Sequence, residues 1–103
     1  MTAKAVARIG DTVTGTCWAP GHGRRAFTGL WETGSGSVKA GGLYVVRIGD
    51  TGTTDCGHTF KATTGSAVFK ADGLAVHRVD DLVVVGDGGE GSTTGGSETV
   101  SSD

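Results

Sequence analysis

The sequence predicts a compact all-β fold built from short strand-turn-strand repeats, with no significant helix. Three observations lead to this prediction: an internal repeat, glycine-containing turns within each repeat, and the lack of any stretch with helical period and length. Glycine occupies 20 of the 103 positions, and only 36% of the residues are hydrophobic. We therefore expect one thin core, and small domains with thin cores usually recruit a metal, a disulfide or a partner chain.

The internal repeat has a period of 31 residues. Residues 34–50 and 65–81 are identical at nine of 17 positions when they are aligned at this offset. The end of the same unit also occurs at residues 5–11, and its Gly-Ser start occurs again at residues 96–100. The sequence thus opens and closes within a unit, a pattern typical of folds in which repeated units pack on one another.

Each unit is predicted to contain two strands joined by a tight turn. The turns fall at Gly41-Gly42 and Asp72-Gly73, and such dipeptides favour hairpin turns that need positive φ at both central positions. The second strand of each unit leads into an Arg-x-x-Asp sequence. The predicted organisation is a single domain over residues 1–103, with units ending near Asp11, Asp50 and Asp81 and a partial last unit over 82–103.

The arginine and aspartate of each Arg-x-x-Asp sequence are interpreted as structural rather than catalytic. An aspartate at this position caps the following turn through local backbone hydrogen bonds. The arginine donates to carbonyl groups or to the neighbouring aspartate while its stem lies on the fold. The three arginines are Arg8, Arg47 and Arg78.

The C-terminal quarter of the sequence allows two interpretations. Residues 79–103 contain six acidic residues and no Lys or Arg, and 86–96 is rich in Gly, Ser and Thr; by composition this is a flexible acidic linker. The period instead places a strand near residues 96–100. We favour order there, because repeated units complete their hydrogen-bond ladders on one another.

Several functional classes are disfavoured by composition and motif content. The net charge of -2 and the lack of a Lys/Arg cluster argue against binding to nucleic acid. Residues 1–8 lack the apolar core of a signal peptide, so we expect a chain made in the cytoplasm without a signal peptide. No nucleophile elbow, zinc-protease helix or phosphate-binding loop is present, and we predict a protein that is not an enzyme.

The two cysteines occupy equivalent places in the repeat. Cys17 lies six residues after Asp11, and Cys56 lies six residues after Asp50. Each is followed by a histidine in the same linker, and the last histidine falls on the second strand of its unit. This concentration of Cys and His favours a metal site, because zinc takes four such ligands in a tetrahedron and its binding contributes to folding.

The predicted ligands are three histidines and one cysteine around one metal ion, with zinc favoured over iron. Three alternatives stay open. His77 packs against its strand with its hydrogen bonds satisfied instead of binding the metal, His22 is a solvent-exposed loop residue, or Cys17 and Cys56 form a disulfide instead of remaining thiols. Of the two cysteines, Cys56 is preferred as the metal ligand because it shares a short loop with His58. The predicted metal ligands are His22, His58, His77 and Cys56, with Cys17 as the alternative ligand.

The ordered alternation of these motifs resembles the PAAR-repeat family, which is named for a Pro-Ala-Ala-Arg stretch. The matching motifs are the strand ends Ala-Arg-Ile-Gly-Asp and Val-Arg-Ile-Gly-Asp, the Cys/His linkers, and the Gly-Ser-x-x-Val starts, and together they cover nearly the whole chain. The resemblance implies a cone-shaped β protein whose apex binds one metal ion through three histidines and one cysteine.

The resemblance also implies a function. Members of that family form the tip of a membrane-piercing spike in a phage tail, a type VI secretion device or a related contractile injection system. One chain would dock as a monomer on a trimeric β-helical spike of the VgrG or phage-spike type, would work in the virion tail or injection particle, and would contact the target-cell outer membrane transiently. The alternatives are a small metal-dependent hydrolase and an adaptor that links a toxin to a secretion spike.

Overall fold

The computed structural model describes residues 4–18, 23–86, 88–97 and 100–102. These residues form short β-strands and turns with no helix, which confirms the predicted compact all-β fold. Among them, no helix exists that is long and apolar enough to cross a membrane. The strands of the described residues are β1 (Lys4–Ala5), β2 (Thr12–Cys17), β3 (Arg25–Trp31), β4 (Lys39–Ala40), β5 (Leu43–Tyr44), β6 (Thr51–Thr54), β7 (Thr59–Ala62), β8 (Lys70–Ala71), β9 (Leu74–Ala75), β10 (Leu82–Val85), β11 (Gly89–Thr93) and β12 (Ser101–Ser102).

Six of the strands close into an antiparallel barrel in the order β10-β11-β2-β3-β6-β7, with β7 pairing again with β10. The barrel consists of three hairpins, β2–β3, β6–β7 and β10–β11, and each hairpin follows one Arg-x-x-Asp sequence. The register places all three hairpin connections at the same end of the barrel, since Cys17 pairs with both Arg25 and Gly89 there. We call this the turn end and the opposite one the base end.

Three small two-stranded antiparallel pairs lie beyond the base end: β4–β5, β8–β9 and β12–β1. We call all three the base hairpins, although no turn connects β12 to β1. The first two contain the predicted turns at Gly41-Gly42 and Asp72-Gly73. The third joins the two chain ends, with Lys4 opposite Ser102. Its strand β12 lies 31 residues after β8, just beyond the predicted strand at 96–100, whose described residues 96, 97 and 100 are not in a strand. The period thus indicated a strand in the C-terminal segment but placed it a few residues too early.

A ring of backbone hydrogen bonds joins the three units between the barrel and the base hairpins. The N–H of Ala7 donates to the carbonyl of His77 (2.9 Å), that of His77 to Val46 (2.8 Å), and that of Val46 to Ala7 (2.9 Å). We call these three residues the central ring. Because each member bonds to the next and the last bonds to the first, the single chain has pseudo-three-fold symmetry about the barrel axis.

The repeated aspartates accept local backbone hydrogen bonds at the base end, but each caps the turn that precedes it rather than the predicted turn that follows it. Asp50 Oδ2 accepts from the backbone N–H of Arg47 (2.8 Å) and from its Nε (2.9 Å), while the Arg47 Nη2 also donates to the Gly34 carbonyl (3.1 Å). The pairs Arg8–Asp11 and Arg78–Asp81 repeat this arrangement. The same contacts therefore cap the turn of every unit.

The barrel interior is filled by a few aromatic rings, for which glycines leave space. Trp31 and Phe60 are buried and meet edge to face, with ring centroids 4.9 Å apart. A Cβ atom added at Gly29 or Gly52 would lie 2.5 Å from the Phe60 ring. The glycines in β3 and β6 are thus required for the ring to sit between these strands. The buried apolar residues form two clusters, one inside the barrel and one among the base hairpins, rather than the single core predicted.

Candidate metal centre

Cys17, Cys56 and His58 meet at the turn end of the barrel. Cys17 is the last residue of β2, and the other two lie in the turn between β6 and β7. One ligand atom from each residue, the two Sγ atoms and an imidazole nitrogen, lie within 4.8 Å of one another. The two cysteines are 39 residues apart in the sequence, but their hairpins share one barrel end.

The strand period places the Cys17 side chain inside the barrel. Alternate residues of β2 point inward, and Val13 and Cys17 are both fully buried. Opposite Cys17 stands Gly89, where an added Cβ would lie 2.7 Å from the Thr16 carbonyl oxygen and 2.9 Å from the Val85 side chain. Glycine at this position keeps the neighbouring strand close to β2 at the site.

The turn between β6 and β7 is organised by Thr54. Its N–H donates to the His58 carbonyl (2.7 Å), and its hydroxyl accepts from the His58 N–H (2.9 Å). The same hydroxyl lies 3.1 Å from Cys56 Sγ, at hydrogen-bond distance. Gly57 has a φ of 88°, in the left-handed region that favours glycine. Thr54 and Gly57 thereby bring Cys56 and His58 round to the same side of the turn.

Asp55 fixes the turn to the neighbouring strand. Its N–H donates to the Thr28 carbonyl (2.8 Å), and its carboxylate lies 3.7 Å from the Arg25 guanidinium. Both side chains of this ion pair are about half exposed, so the pair contributes little to stability. The backbone hydrogen bond is the firmer of the two attachments.

The donor set fits a thiophilic metal ion. Two thiolates and an imidazole are ligands that suit zinc, whereas magnesium and calcium prefer oxygen. In a tetrahedral zinc site the ligand atoms are about 3.6 to 3.8 Å apart, as follows from Zn–S and Zn–N lengths of about 2.3 and 2.0 Å. The observed cluster reaches that spacing with a contraction of at most about 1 Å. The three residues could thus hold a metal ion. The Thr54 hydroxyl, at hydrogen-bond distance from Cys56 Sγ, would orient that ligand from outside the site.

His77 lies away from this cluster, in the central ring. Its side chain is fully buried and contacts Trp31, with ring centroids 5.1 Å apart. Its Nε2 lies 2.7 Å from the hydroxyl of Thr93, the last residue of β11, whereas Cys17 pairs with the first residue of that strand. Four residue steps of about 3.3 Å each therefore place His77 roughly 13 Å from the turn end.

The hydrogen bonds of His77 suit a neutral imidazole. The Thr64 carbonyl only accepts, so Nδ1 carries the proton in their 2.8 Å contact. The Thr93 hydroxyl accepts from the Trp31 Nε1–H (2.9 Å) and lies 2.7 Å from His77 Nε2, to which it can donate when the ring is neutral. Burial in the barrel core lowers the pKa of His77, outweighing the opposite effects of the Thr64 hydrogen bond and of Asp81. The structure thus has the strand-packed histidine that the sequence left open as the alternative to a ligand.

The remaining candidate ligands have mixed outcomes. His22 lies outside the described residues. Cys17, the alternative ligand, is in the cluster together with Cys56 rather than instead of it, and the two are not joined by a disulfide. The equivalent spacing of Cys17 and Cys56 after their aspartates was the signal that both thiols would reach one barrel end. Ala7 and Val46 occupy the position of His77 in the other two units, and these apolar residues indicated that the position is in the core.

No protein-family model matches this chain, and no curated protein matches it either. Hypotheses about its function therefore rest on its own residues and their geometry.

Proposed function

We propose that this chain is the metal-binding tip of a membrane-piercing spike in a phage tail or related contractile injection system. In this role one chain docks on a trimeric β-helical spike, and its work is mechanical rather than catalytic. The observation that carries the proposal is the pseudo-three-fold symmetry of a single chain, closed by the central ring of backbone hydrogen bonds.

Three-fold symmetry within one chain suits a three-fold partner. A monomer on the axis of a trimer normally presents different surfaces to the three subunits. Here the three base hairpins offer each subunit a similar strand pair at a similar place. This match supports docking through the base end, with the turn end pointing away from the spike.

The base hairpins also carry exposed apolar side chains. Leu43 and Leu74 occupy equivalent positions and are 44% and 43% exposed, and Val68 is 73% exposed. Tyr44, beside Leu43, is 36% exposed and lies 4.7 Å below the Lys39 ammonium. Exposed apolar side chains also lie on the barrel side, at Leu30, Leu82 and Val84, so it is their presence on the repeated base hairpins that supports a protein partner there.

A metal ion at the turn end supports the mechanical role. Cys17 would hold it from β2, and Cys56 and His58 from the β6–β7 turn, so the ion would tie two hairpins together at the point of the molecule. When bound, it supplies cross-linking energy to a domain whose core is thin. Closed barrel edges and such a clamp both resist fraying under load.

Metal binding is tested with the purified chain and zinc alone. We expect one zinc ion per chain, and we expect chelation to lower the melting temperature by roughly 10 °C or more, since a ligand at 100 times its Kd stabilises by about 2.7 kcal/mol. A melting temperature that does not respond to zinc or to chelator would remove the metal from the proposal.

Docking is tested with paired variants and a trimeric β-helical spike protein. Leu43→Asp with Leu74→Asp places two charges at the base end and should weaken spike binding at least tenfold. The control is Leu30→Asp with Leu82→Asp, which alters residues of similar exposure (52% and 42%) on the barrel side. Equal binding by both double variants would argue against the base end as the docking surface.

A further inference from the structure

The two thiols of the cluster differ in access although they lie side by side. Cys17 is fully buried at the end of a barrel strand, whereas Cys56 is partly exposed in a turn. Their Sγ atoms are at most 4.8 Å apart and are not bonded to each other. A disulfide needs about 2.0 Å between the sulfurs, so closing the pair takes a movement of at most about 3 Å.

The β6–β7 turn is the part that can supply this movement. Cys17 is held in β2 by pairing on both sides, with Gly89 in one direction and Arg25 in the other. Cys56 lies in a turn, two residues beyond the last paired strand position, and its neighbour Gly57 tolerates a wide range of backbone angles. Rotation of both side chains and a small shift of the turn bring the sulfurs together.

We propose that Cys17 and Cys56 are a redox pair, so that the turn end is closed either by a metal ion or by a Cys17–Cys56 disulfide. The two states exclude each other, because zinc is bound by thiolates and a disulfide offers none. The metal-bound state rests on the proposed function, whereas the disulfide state rests on the geometry of the two thiols alone. Because β3 separates their strands, the disulfide links two hairpins across the barrel mouth.

The oxidant is a low-molecular-weight disulfide such as oxidised glutathione. The Cys56 thiolate, being the more accessible, attacks one glutathione sulfur, releases one glutathione thiolate and forms a mixed disulfide. The Cys17 thiolate then attacks Cys56 Sγ, forms the internal disulfide and releases the second glutathione. Two protein thiols are oxidised, their two protons are lost, and one glutathione disulfide is reduced to two thiols.

The experiment exposes the full chain, with and without bound zinc, to oxidised glutathione and then counts free thiols and measures intact mass under denaturing, non-reducing conditions. We expect the metal-free chain to pass from two free thiols to none, with a mass lower by two hydrogen atoms and a higher melting temperature. We expect the zinc-loaded chain to keep both thiols. We expect the oxidised chain to bind zinc only after reduction.

Single-cysteine variants separate the two steps. Cys17→Ser should stop at the mixed disulfide and gain one glutathionyl group at Cys56. Cys56→Ser should stay unmodified while folded, because the Cys17 thiol is buried. Glutathionylation of Cys17 ahead of Cys56 would overturn the proposed order of attack.

The outcomes distinguish this proposal from the metal site itself. A metal-free chain that keeps both thiols, or that forms only disulfides between chains, overturns the redox pair while zinc binding still supports the metal centre. A chain that forms the internal disulfide but does not bind zinc supports the pairing of the thiols and overturns the metal centre. If the zinc-loaded and the metal-free protein are oxidised equally, the claim that bound metal prevents the disulfide is wrong.

Discussion

The base end and the turn end of the molecule follow the same three-fold plan but use it differently. At the base end each unit repeats the same Arg–Asp hydrogen bonds and joins the same central ring. At the turn end the units diverge: two hairpins contribute cysteines, and the β10–β11 hairpin has Gly89 facing Cys17 instead. The comparison teaches that the repeat maintains the scaffold, whereas the departures from it create the candidate site.

The two ends also differ in what stabilises them. The carboxylates at the base end are nearly buried and accept several hydrogen bonds each, whereas the one ion pair found at the turn end among the described residues is half exposed. Burial by itself would raise the pKa of Asp50 and Asp81, but hydrogen bonds from Arg47 and Arg78 outweigh it and lower both pKa values. We therefore expect the base end to resist unfolding without help and the turn end to gain stability when a metal ion is bound there.

The largest effect is expected from Asp50→Ala at the base end. This change removes the acceptor of the Thr33 hydroxyl and the paired acceptor of the Arg47 guanidinium in a nearly buried site, and it leaves Arg47 with its bonds to Asp72 and the Gly34 carbonyl. Breaking such a pair typically costs about 3 kcal/mol. Asp55→Ala at the turn end is the matched control and should cost less than about 1 kcal/mol. Urea unfolding of both variants measures the difference, and equal losses would contradict the contrast between the two ends.

The next effect separates two histidines by their location. His58→Ala should remove zinc binding and the stabilisation that zinc provides, about 2.7 kcal/mol at 100 times the Kd, while changing the metal-free protein little. His77→Gln should lower stability with and without zinc yet still bind one ion. Zinc titration followed by thermal melting measures both, and loss of zinc binding in the His77 variant would show that the central ring supports the metal site.

A pH dependence should come from the core histidine. The unfolded chain binds a proton at His77 with a pKa of about 6.5, whereas the folded pKa is lower because of burial, with Arg78 adding to the decrease and Asp81 opposing it. The unfolded state therefore binds more protons as the pH falls below about 6.5, and stability decreases. Below about pH 4 a second loss follows as Asp50 and Asp81 are protonated.

Denaturant unfolding from pH 8 to pH 3 measures both steps in the metal-free chain. His77→Gln should remove the first decrease and keep the second. A wild-type stability that is constant between pH 7 and pH 5 would contradict the neutral, hydrogen-bonded state of this histidine.

The smallest effect is expected from Asp72→Gly in a base hairpin. Asp72 accepts from the hydroxyls of Ser35 (2.6 Å) and Ser37 (2.7 Å) and from Arg47 (3.0 Å), which lowers its pKa, but it is exposed and its φ of 54° is unusual for a residue with a side chain. Glycine loses the contacts and relieves the backbone. The decrease in melting temperature should be less than half of that for Asp50→Ala, and a larger decrease would give this surface network a greater role.

Much of the fold was predictable because it follows from local rules. The 31-residue period, the glycine turns and the Arg-x-x-Asp sequences each act within about one hairpin, and the structure confirms the all-β class, the two turns and the structural contacts of these charges. The strand positions were not predicted, because the units hold only two-residue strands and the six barrel strands lie in the linkers between the units. Two of the three residues of the candidate site, Cys56 and His58, could be predicted together because they share one turn. The closure of six strands into a barrel was not predictable, because it depends on pairing between strands that are distant in sequence.

The sequence by itself determined the repeat, the all-β class and the equivalence of the two cysteines, because these depend on spacing along the chain. Only the tertiary structure decided which of those residues meet. Barrel closure brings Cys17 beside Cys56 and His58, since β2 and the β6–β7 turn reach the same end. The same closure places His77 in the core, where its two ring nitrogens are occupied by Thr64 and Thr93. Ligand spacing in sequence is one-dimensional, whereas a metal site requires atoms within a few ångströms in three dimensions.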